Sequence, residues 1–381
     1  MFQIKKKEFE VMDKLIDCNS TKRITELDGV RGIAILLVLY CHYADSLLCT
    51  LEHGCRGEWP ILTYIGYSHR LTWSGVDLFF VLSGFLIVGI LLDVKDSKFY
   101  FKTFYMRRIC RIFPLYYLML LLFILIPWLG LQSTKALFVG NIPLYSYFSF
   151  TQNFFIHGSG SAWLLVTWSL AIEEQFYILI PLLVKFINRK NLLLIFGCAI
   201  CMAPILRFML AGIDALPFAR SDSILMGGLI AISIRDVRLR EVLIANYRYI
   251  VFLFIFFLIG TAVLSTGLYT CGTAFIHLWL GILYSLFIVV VILNRSASLS
   301  LVLKHNLLVW FGLRSYAVYL FHVPMKAIVY YYLSTIIPLA CFHYVDYLTP
   351  VVSLIIVLIL SELSFRYYEK RFLLFGKSFK Y

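Results

Sequence analysis

The apolar stretch LDGVRGIAILLVLYCHY, residues 27–43, carries three groups that are able to do chemistry. Arg31 and His42 are 11 residues apart, which places them within roughly 20° of one helical face and about 16 Å apart along the axis. Asp28 lies three residues before Arg31 on that face and predicts an ion pair. Because imidazole titrates near neutral pH, His42 is suited to act as a general base. A structural alternative stays open, in which His42 only hydrogen-bonds a neighbouring helix.

An arginine cluster occurs in FYMRRICRIFPLYY, residues 104–117. Arg107, Arg108 and Arg111 lie on nearly one face of the helix that this pattern predicts. A planar guanidinium group donates two hydrogen bonds to one phosphate, so the cluster predicts a polyphosphate ligand. The alternative is the ordinary basic cluster that membrane proteins carry on their cytoplasmic side.

Two adjacent carboxylates interrupt the apolar segment TWSLAIEEQFYILIPLL, residues 167–183. Ser169, Glu173 and Tyr177 recur every four residues and therefore share one helical face, and Glu174 widens it. Carboxylates inside a membrane helix are costly unless they have partners, so this face predicts a functional cavity. A structural ion pair is the alternative, with a partner among Arg207, Arg220 and Arg314.

Two further segments break the apolar pattern: GVDLFFVLSGFLI, residues 75–87, and SYAVYLFHVPM, residues 315–325. In the first, Gly84 is expected to let two helix backbones approach closely. In the second, His322 precedes Pro324, which favours a kink in the helix. Taken alone, each segment has a purely structural explanation and does not require a function.

These residues must be positioned by membrane helices, because 61% of the 381 residues are hydrophobic and only 14% are charged. Soluble domains have about 25% charged residues. We predict an all-α polytopic membrane protein with about ten transmembrane helices, since lipid offers no partner to an open backbone. The ten segments lie near residues 30–49, 71–93, 112–131, 163–187, 192–210, 218–234, 248–266, 272–294, 307–333 and 348–365. We interpret 136–156 as an outer loop at the interface.

The basic residues predict the orientation, because cytoplasmic loops are enriched in Lys and Arg. With both termini cytoplasmic, 26 of the 34 Lys and Arg residues lie in inner segments and three lie in outer loops. The net charge of +13 is then explained by orientation and by contact with anionic lipid heads, without nucleic acid. We predict a cytoplasmic arm over residues 1–23, one membrane domain over 24–370 and a cytoplasmic basic tail over 371–381.

Five of the quoted segments occur in an order that resembles one family. LDGVRGIAILLVLYCHY, GVDLFFVLSGFLI, RRICRIFPLYYL, WSLAIEEQFYILIPLL and SYAVYLFHVP span residues 27–324. Together they resemble the acyltransferase 3 family of integral membrane acyltransferases, which includes many surface-polysaccharide O-acetyltransferases. The resemblance implies a multi-pass protein of the bacterial inner membrane. It implies transfer of an acyl group, usually acetyl, from acyl-coenzyme A to a hydroxyl of a carbohydrate or lipid-linked glycan, with no metal.

The resemblance also implies roles for individual residues. His42 matches the family's essential histidine, Arg31 its partner arginine, and Arg108 with Arg111 the pair that holds coenzyme A phosphates. We expect Arg31 to pair with Asp28 along the coenzyme's path, and Glu173 to orient either His42 or the acceptor. Candidate donors to the oxyanion are Tyr177, Ser169 and His322.

A transporter or flippase for a polar or glycan substrate is the rival interpretation, because intramembrane charges also line substrate pathways. Such transporters usually show related halves, and the sequence shows no internal repeat. A non-catalytic scaffold is a third interpretation, but it would not need arginines aligned with a histidine at the membrane centre. The sequence does not identify a protein partner, and we expect the acceptor pocket in the loops 50–70 and 132–162.

Overall fold

The computed structural model describes residues 24–54, 67, 70–128, 142–156, 163–210, 212–266, 273–293, 296–338 and 343–381. The described residues form helices and connecting turns and contain no β-strand. The α-helices are α1 Thr25–Gly54, α2 Gly75–Asp93, α3 Tyr100–Trp128, α4 Leu144–Phe148, α5 Thr167–Phe186, α6 Arg189–Met209, α7 Ser221–Arg235, α8 Val237–Ala245, α9 Tyr247–Ser265, α10 Thr273–Ile292, α11 Ala297–Leu303, α12 Asn306–Ile336, α13 His343–Leu363 and α14 Lys370–Ser378. The predicted arm 1–23 lies outside the described residues.

Each of the ten predicted membrane segments coincides with a helix. Among the residues that the structure describes, seven candidate spans are long and apolar enough to cross a bilayer, which supports a multi-pass membrane protein: Thr25–Ala44, Thr72–Asp93, Tyr100–Ile126, Arg189–Met209, Tyr247–Ser265, Ala274–Ile292 and Tyr344–Ser378. Of the other three, α7 has 15 residues, so it is about 22 Å long. Helices α5 and α12 contain charged side chains that lower their mean hydropathy. The count of ten crossings and the cytoplasmic termini stay predictions.

The chain forms two compact units, and helices α1, α5 and α12 contribute residues to both. The first unit comprises the described parts of residues 1–34, 74–100 and 176–313. Within it, α7 packs on α2, α6 and α10. A Cβ atom at Gly84 would collide with the backbone carbonyl of Ile224, and one at Gly227 would collide with that of Val81. The close backbone approach predicted for Gly84 is therefore confirmed.

Buried ion pairs also join the helices of the first unit. Arg207 contacts Asp222 at 2.6 Å, and both side chains are almost completely buried. Arg220 contacts Asp77 at 3.3 Å and also binds Nδ1 of His277. Two of the arginines that the sequence offered as partners for Glu173 and Glu174 therefore pair with other carboxylates.

The second unit comprises the described parts of residues 35–73, 101–175 and 314–381. Buried tyrosines in it donate hydrogen bonds to backbone carbonyls, which supplies partners for polar groups that lipid would leave unsatisfied. The Tyr116 hydroxyl donates to the Tyr147 carbonyl at 2.7 Å, and the Tyr316 hydroxyl donates to the Ile112 carbonyl at 2.7 Å. These bonds hold α3 against α4 and α12.

Candidate active site

His42 lies on α1, in the part of the helix that belongs to the second unit, and its side chain is half-buried. Its Nδ1 atom is 2.9 Å from the carbonyl oxygen of Val38, one turn earlier. A carbonyl oxygen only accepts, so the proton of the neutral imidazole is on Nδ1. The basic lone pair of His42 is therefore on Nε2, and the ring is oriented by its own helix.

His322, on α12, lies beside His42 and is completely buried. The two rings meet edge to face with their centroids 4.9 Å apart. Nδ1 of His322 donates to the carbonyl of Tyr319 at 2.6 Å, while Nε2 is buried with no hydrogen-bond partner among the described residues. The Tyr43 hydroxyl donates to the carbonyl of His322 at 2.8 Å. These contacts fix α1 against α12 at the two histidines.

Ser169, from α5, joins this group through Tyr319. The two hydroxyl oxygens are 2.6 Å apart, and each also reaches the Val166 carbonyl, at 3.2 Å from Ser169 and 2.9 Å from Tyr319. The rings of Tyr319 and His322 lie 5.5 Å apart. Three helices of the second unit therefore meet in one polar group, which we call the histidine cluster: His42, Tyr43, Ser169, Tyr319, His322 and Lys326.

Lys326 is the functional candidate that the sequence analysis missed. It lies one turn after His322 on α12, it is partly buried, and its ammonium group donates to the backbone carbonyl of His42. The Nζ atom is 6.0 Å from the centre of the Tyr43 ring. A signal was present, because Lys326 lies inside the predicted segment 307–333, and an intramembrane lysine suggests function.

The predicted phosphate-binding arginines of α3 lie near carboxylates of the second unit. Arg108 interacts electrostatically with Glu174, which in turn interacts with Glu173. Arg111 interacts electrostatically with Glu369, near the C-terminal end of the described chain. Glu174 therefore interacts with Arg108, an arginine that the sequence analysis did not consider for this role.

Arg314, the third arginine offered as a partner for the α5 carboxylates, forms its ion pair with Glu362 on α13. Arg314 also interacts electrostatically with Glu369. Arg108, Arg111 and Arg314 of the second unit therefore each interact with an acidic side chain. Such pairs keep guanidinium groups oriented inside a low-dielectric region.

Arg107 has a different position from its two neighbours. Its guanidinium group donates two hydrogen bonds to the carbonyl of Phe379, at 3.1 and 2.8 Å, and lies 4.8 Å from the centre of the Tyr381 ring. Thr103, one turn earlier, donates to the carbonyl of Lys380 at 2.7 Å. Arg107 therefore holds the C-terminal segment on α3, a contact that the sequence analysis did not predict.

Arg31, Asp28 and Tyr177 belong to the first unit. The predicted pair is confirmed, with Arg31 donating to Asp28 at 2.8 Å. The Tyr177 hydroxyl is 2.8 Å from the hydroxyl of Ser83 on α2. Within the described part of the chain, no group of three His, Cys, Asp or Glu side chains could hold a metal ion.

The histidine cluster holds an oriented imidazole with a cation beside it, groups of the kind that take part in acid–base chemistry and in the stabilisation of negative charge. The Acyltransferase domain family, acyltransferase 3, matches residues 24–363. The chain belongs to this family. The match includes every residue of the histidine cluster, both adjacent glutamates and the α3 arginines.

Two relatives from Staphylococcus aureus carry related names. "O-acetyltransferase OatA" of strain NCTC 8325 / PS 47 is 24% identical over 388 residues, with 95% of this chain and 59% of the relative aligned. A "Putative O-acetyltransferase" of strain COL is 27% identical over 386 residues, with 92% of this chain and 57% of the relative aligned. The chain thus spans less than two thirds of the length of these relatives. No solved structure matches it.

Proposed function

We propose that the chain moves an acyl group, usually acetyl, from acyl-coenzyme A to a hydroxyl of a cell-surface carbohydrate or a similar acceptor. Membership of the acyltransferase family and the names of the relatives support the reaction class. The proposed setting is the bacterial inner membrane, with about ten crossings and both termini cytoplasmic. Residue roles are proposed from the geometry of the second unit.

The observation that carries the proposal is the orientation of His42. With its proton on Nδ1, held by the Val38 carbonyl, the ring presents a basic Nε2 atom. We assign to Nε2 the removal of the proton from the acceptor hydroxyl as its oxygen attacks the thioester carbon. The proton then passes to the leaving thiolate of coenzyme A, so His42 returns to its starting form.

Arg108 and Arg111 are proposed to bind the phosphates of the acyl donor. Both lie on α3, in the same unit as His42, and they interact electrostatically with Glu174 and Glu369. Phosphate groups recruit arginine through paired charge-assisted hydrogen bonds. We propose that the donor's phosphates take over part of these contacts when the donor binds.

Glu173 and the first unit have supporting roles in the proposal. Glu173, beside Glu174 on α5, is proposed to orient His42 or the acceptor hydroxyl. Arg31 is proposed to attract the anionic coenzyme, held in position by its ion pair with buried Asp28. The loops expected to select the acceptor, 50–70 and 132–162, lie largely outside the described residues.

A direct test is to supply acetyl-coenzyme A, labelled in the acetyl group, to the purified protein in vesicles. Unacetylated surface glycan from cells that lack the gene serves as acceptor. We expect label in an ester that mild base removes from the glycan. Intact label carried across the vesicle membrane, with no ester formed, would instead favour the transporter interpretation. Charged residues within membrane helices also line the substrate pathways of transporters.

A further inference from the structure

We propose that Lys326 is the cation that stabilises the oxyanion formed during acyl transfer, which rests on the proposed function and adds a catalytic residue to it. Attack on a thioester moves an electron pair of the C=O bond onto its oxygen. A preorganised donor or cation near that oxygen lowers the barrier. No role has been given so far to the one lysine of the histidine cluster.

Two of the three candidates that the sequence offered have their hydrogen atoms engaged elsewhere, and the third, Tyr177, belongs to the first unit. Ser169 and Tyr319 have one hydroxyl hydrogen each, and their contacts with one another and with the Val166 carbonyl account for both. His322 donates its Nδ1 hydrogen to a backbone carbonyl, so Nε2 has a lone pair and no hydrogen. Neither Ser169 nor His322, as oriented here, donates to a substrate oxygen.

Lys326 has the required position and charge. Its ammonium group donates to the backbone carbonyl of His42, so the cation directly contacts the residue that supplies the proposed base. An ammonium group has three N–H donors, so it is able to hold a protein carbonyl and a substrate oxygen together. The lysine is partly buried, and a cation in such a low-dielectric setting interacts more strongly than one in water.

The reaction step balances with these two residues. The acceptor oxygen forms a bond to the thioester carbon, its proton moves to Nε2 of His42, and the carbonyl oxygen becomes negative beside Lys326. Return of the electron pair to the carbon–oxygen bond breaks the carbon–sulfur bond and expels the coenzyme A thiolate. The thiolate takes the proton from His42, and Lys326 keeps its charge throughout.

The experiment measures kcat and the donor KM for Lys326→Met, which keeps the length of the side chain and removes the charge. We expect kcat to fall by roughly 10²-fold or more, as when one oxyanion donor is removed, with little change in KM. Lys326→Arg keeps the cation and should retain more activity than the Met variant. In Lys326→Ala, added ethylammonium should restore part of kcat, which a purely structural lysine would not permit.

Lys304→Met is the matched control, because Lys304 is exposed and forms an ion pair with the partly buried Glu26 in the first unit. It should leave kcat within about twofold, as expected for a surface pair. If wild type transfers label but Lys326→Met keeps full kcat, or Lys326→Ala gains nothing from ethylammonium, Lys326 is not the oxyanion cation. If wild type itself transfers no label, the proposed function fails. Should the Met variant not accumulate, Lys326→Gln replaces it with the same expected result.

Discussion

The imidazole rings of His42 and His322 lie edge to face, with centroids 4.9 Å apart and planes at 81°. Both rings donate Nδ1–H to a carbonyl of their own helix. Each histidine is therefore held in the same tautomer by local backbone, and the contact between the rings then fixes one helix against the other. His42 is half-buried while His322 is completely buried, so His42 is the ring that substrate is able to reach.

We expect His322→Phe to preserve the edge-to-face contact and to remove a buried nitrogen that has no hydrogen-bond partner among the described residues. The substitution relieves an unsatisfied buried nitrogen, which costs about 1–3 kcal/mol, but it also removes the Nδ1 hydrogen bond to Tyr319, which contributes about 0.5–1.5 kcal/mol, so the unfolding temperature should change little. Its kcat should fall less than about tenfold, since a base contributes more than this only when it transfers the proton. A loss as large as that of His42→Ala would show that Nε2 of His322 takes part in proton transfer.

His42→Ala should lower kcat by about 10²–10⁴-fold, the usual contribution of a general base. The protein should still insert and accumulate, because the backbone carbonyl that Lys326 binds is present in alanine. Transfer of label from acetyl-coenzyme A measures the loss. His305→Ala, an exposed histidine at the start of α12, is the control and should behave as wild type. Normal turnover by His42→Ala would remove His42 from the mechanism.

Arg111→Ala should raise the apparent KM for acetyl-coenzyme A at least tenfold while changing kcat less, because a lost charge-assisted phosphate contact weakens binding by about 1.5–3 kcal/mol. Initial rates over a range of donor concentrations measure this. Arg238→Ala removes an exposed arginine of α8 and should leave the donor KM unchanged. An unaltered KM in Arg111→Ala would show that Arg111 does not bind the donor and only helps to set the orientation of the protein in the membrane.

Arg108 is linked to Glu174, so its substitution requires a double-mutant cycle. Arg108→Ala removes the cation that interacts electrostatically with Glu174 and should lower the unfolding temperature. In a protein that already carries Glu174→Gln, the same substitution should lower the unfolding temperature less, because the interacting acid is gone. The double variant should still bind acetyl-coenzyme A weakly. Additive effects of the two substitutions would show that the two side chains are not coupled.

Local pattern was sufficient to locate ten of the fourteen described α-helices and a contact within one of them. The pair of Asp28 and Arg31 follows from a spacing of three residues on one helix, and the structure confirms it. Gly84 follows from the need for small residues where helix backbones meet. The first prediction needs only two residues that are close in sequence. The second needs only the rule that a helix face that packs against another backbone carries small residues.

Contacts between distant helices were beyond the sequence, because a helical periodicity shows which residues share a face and not which helix that face meets. Lys326 contacts a carbonyl 284 positions earlier in the chain. Arg107 and Arg108 are adjacent, yet Arg107 holds the C-terminal segment while Arg108 interacts with Glu174. Neighbouring side chains on a helix point about 100° apart, so they contact different partners.

Gly84→Ala should destabilise the first unit, although it adds a single methyl group. The new Cβ would collide with the backbone carbonyl of Ile224 on α7. Because a backbone atom cannot rotate away as a side chain can, the two helices would have to move apart. Overpacking of this kind costs about 1–3 kcal/mol or more, so we expect a lower unfolding temperature and reduced accumulation in membranes.

Gly197→Ala is the matched control for Gly84→Ala, because a Cβ at Gly197 of α6 has no other heavy atom within 4 Å. There the substitution only removes backbone freedom from the unfolded chain and improves helix propensity, by about 0.5–1 kcal/mol. The two glycine variants should therefore shift the unfolding temperature in opposite directions. Equal effects would mean that α2 and α7 do not pack through Gly84, and the helix contacts described for the first unit would need revision.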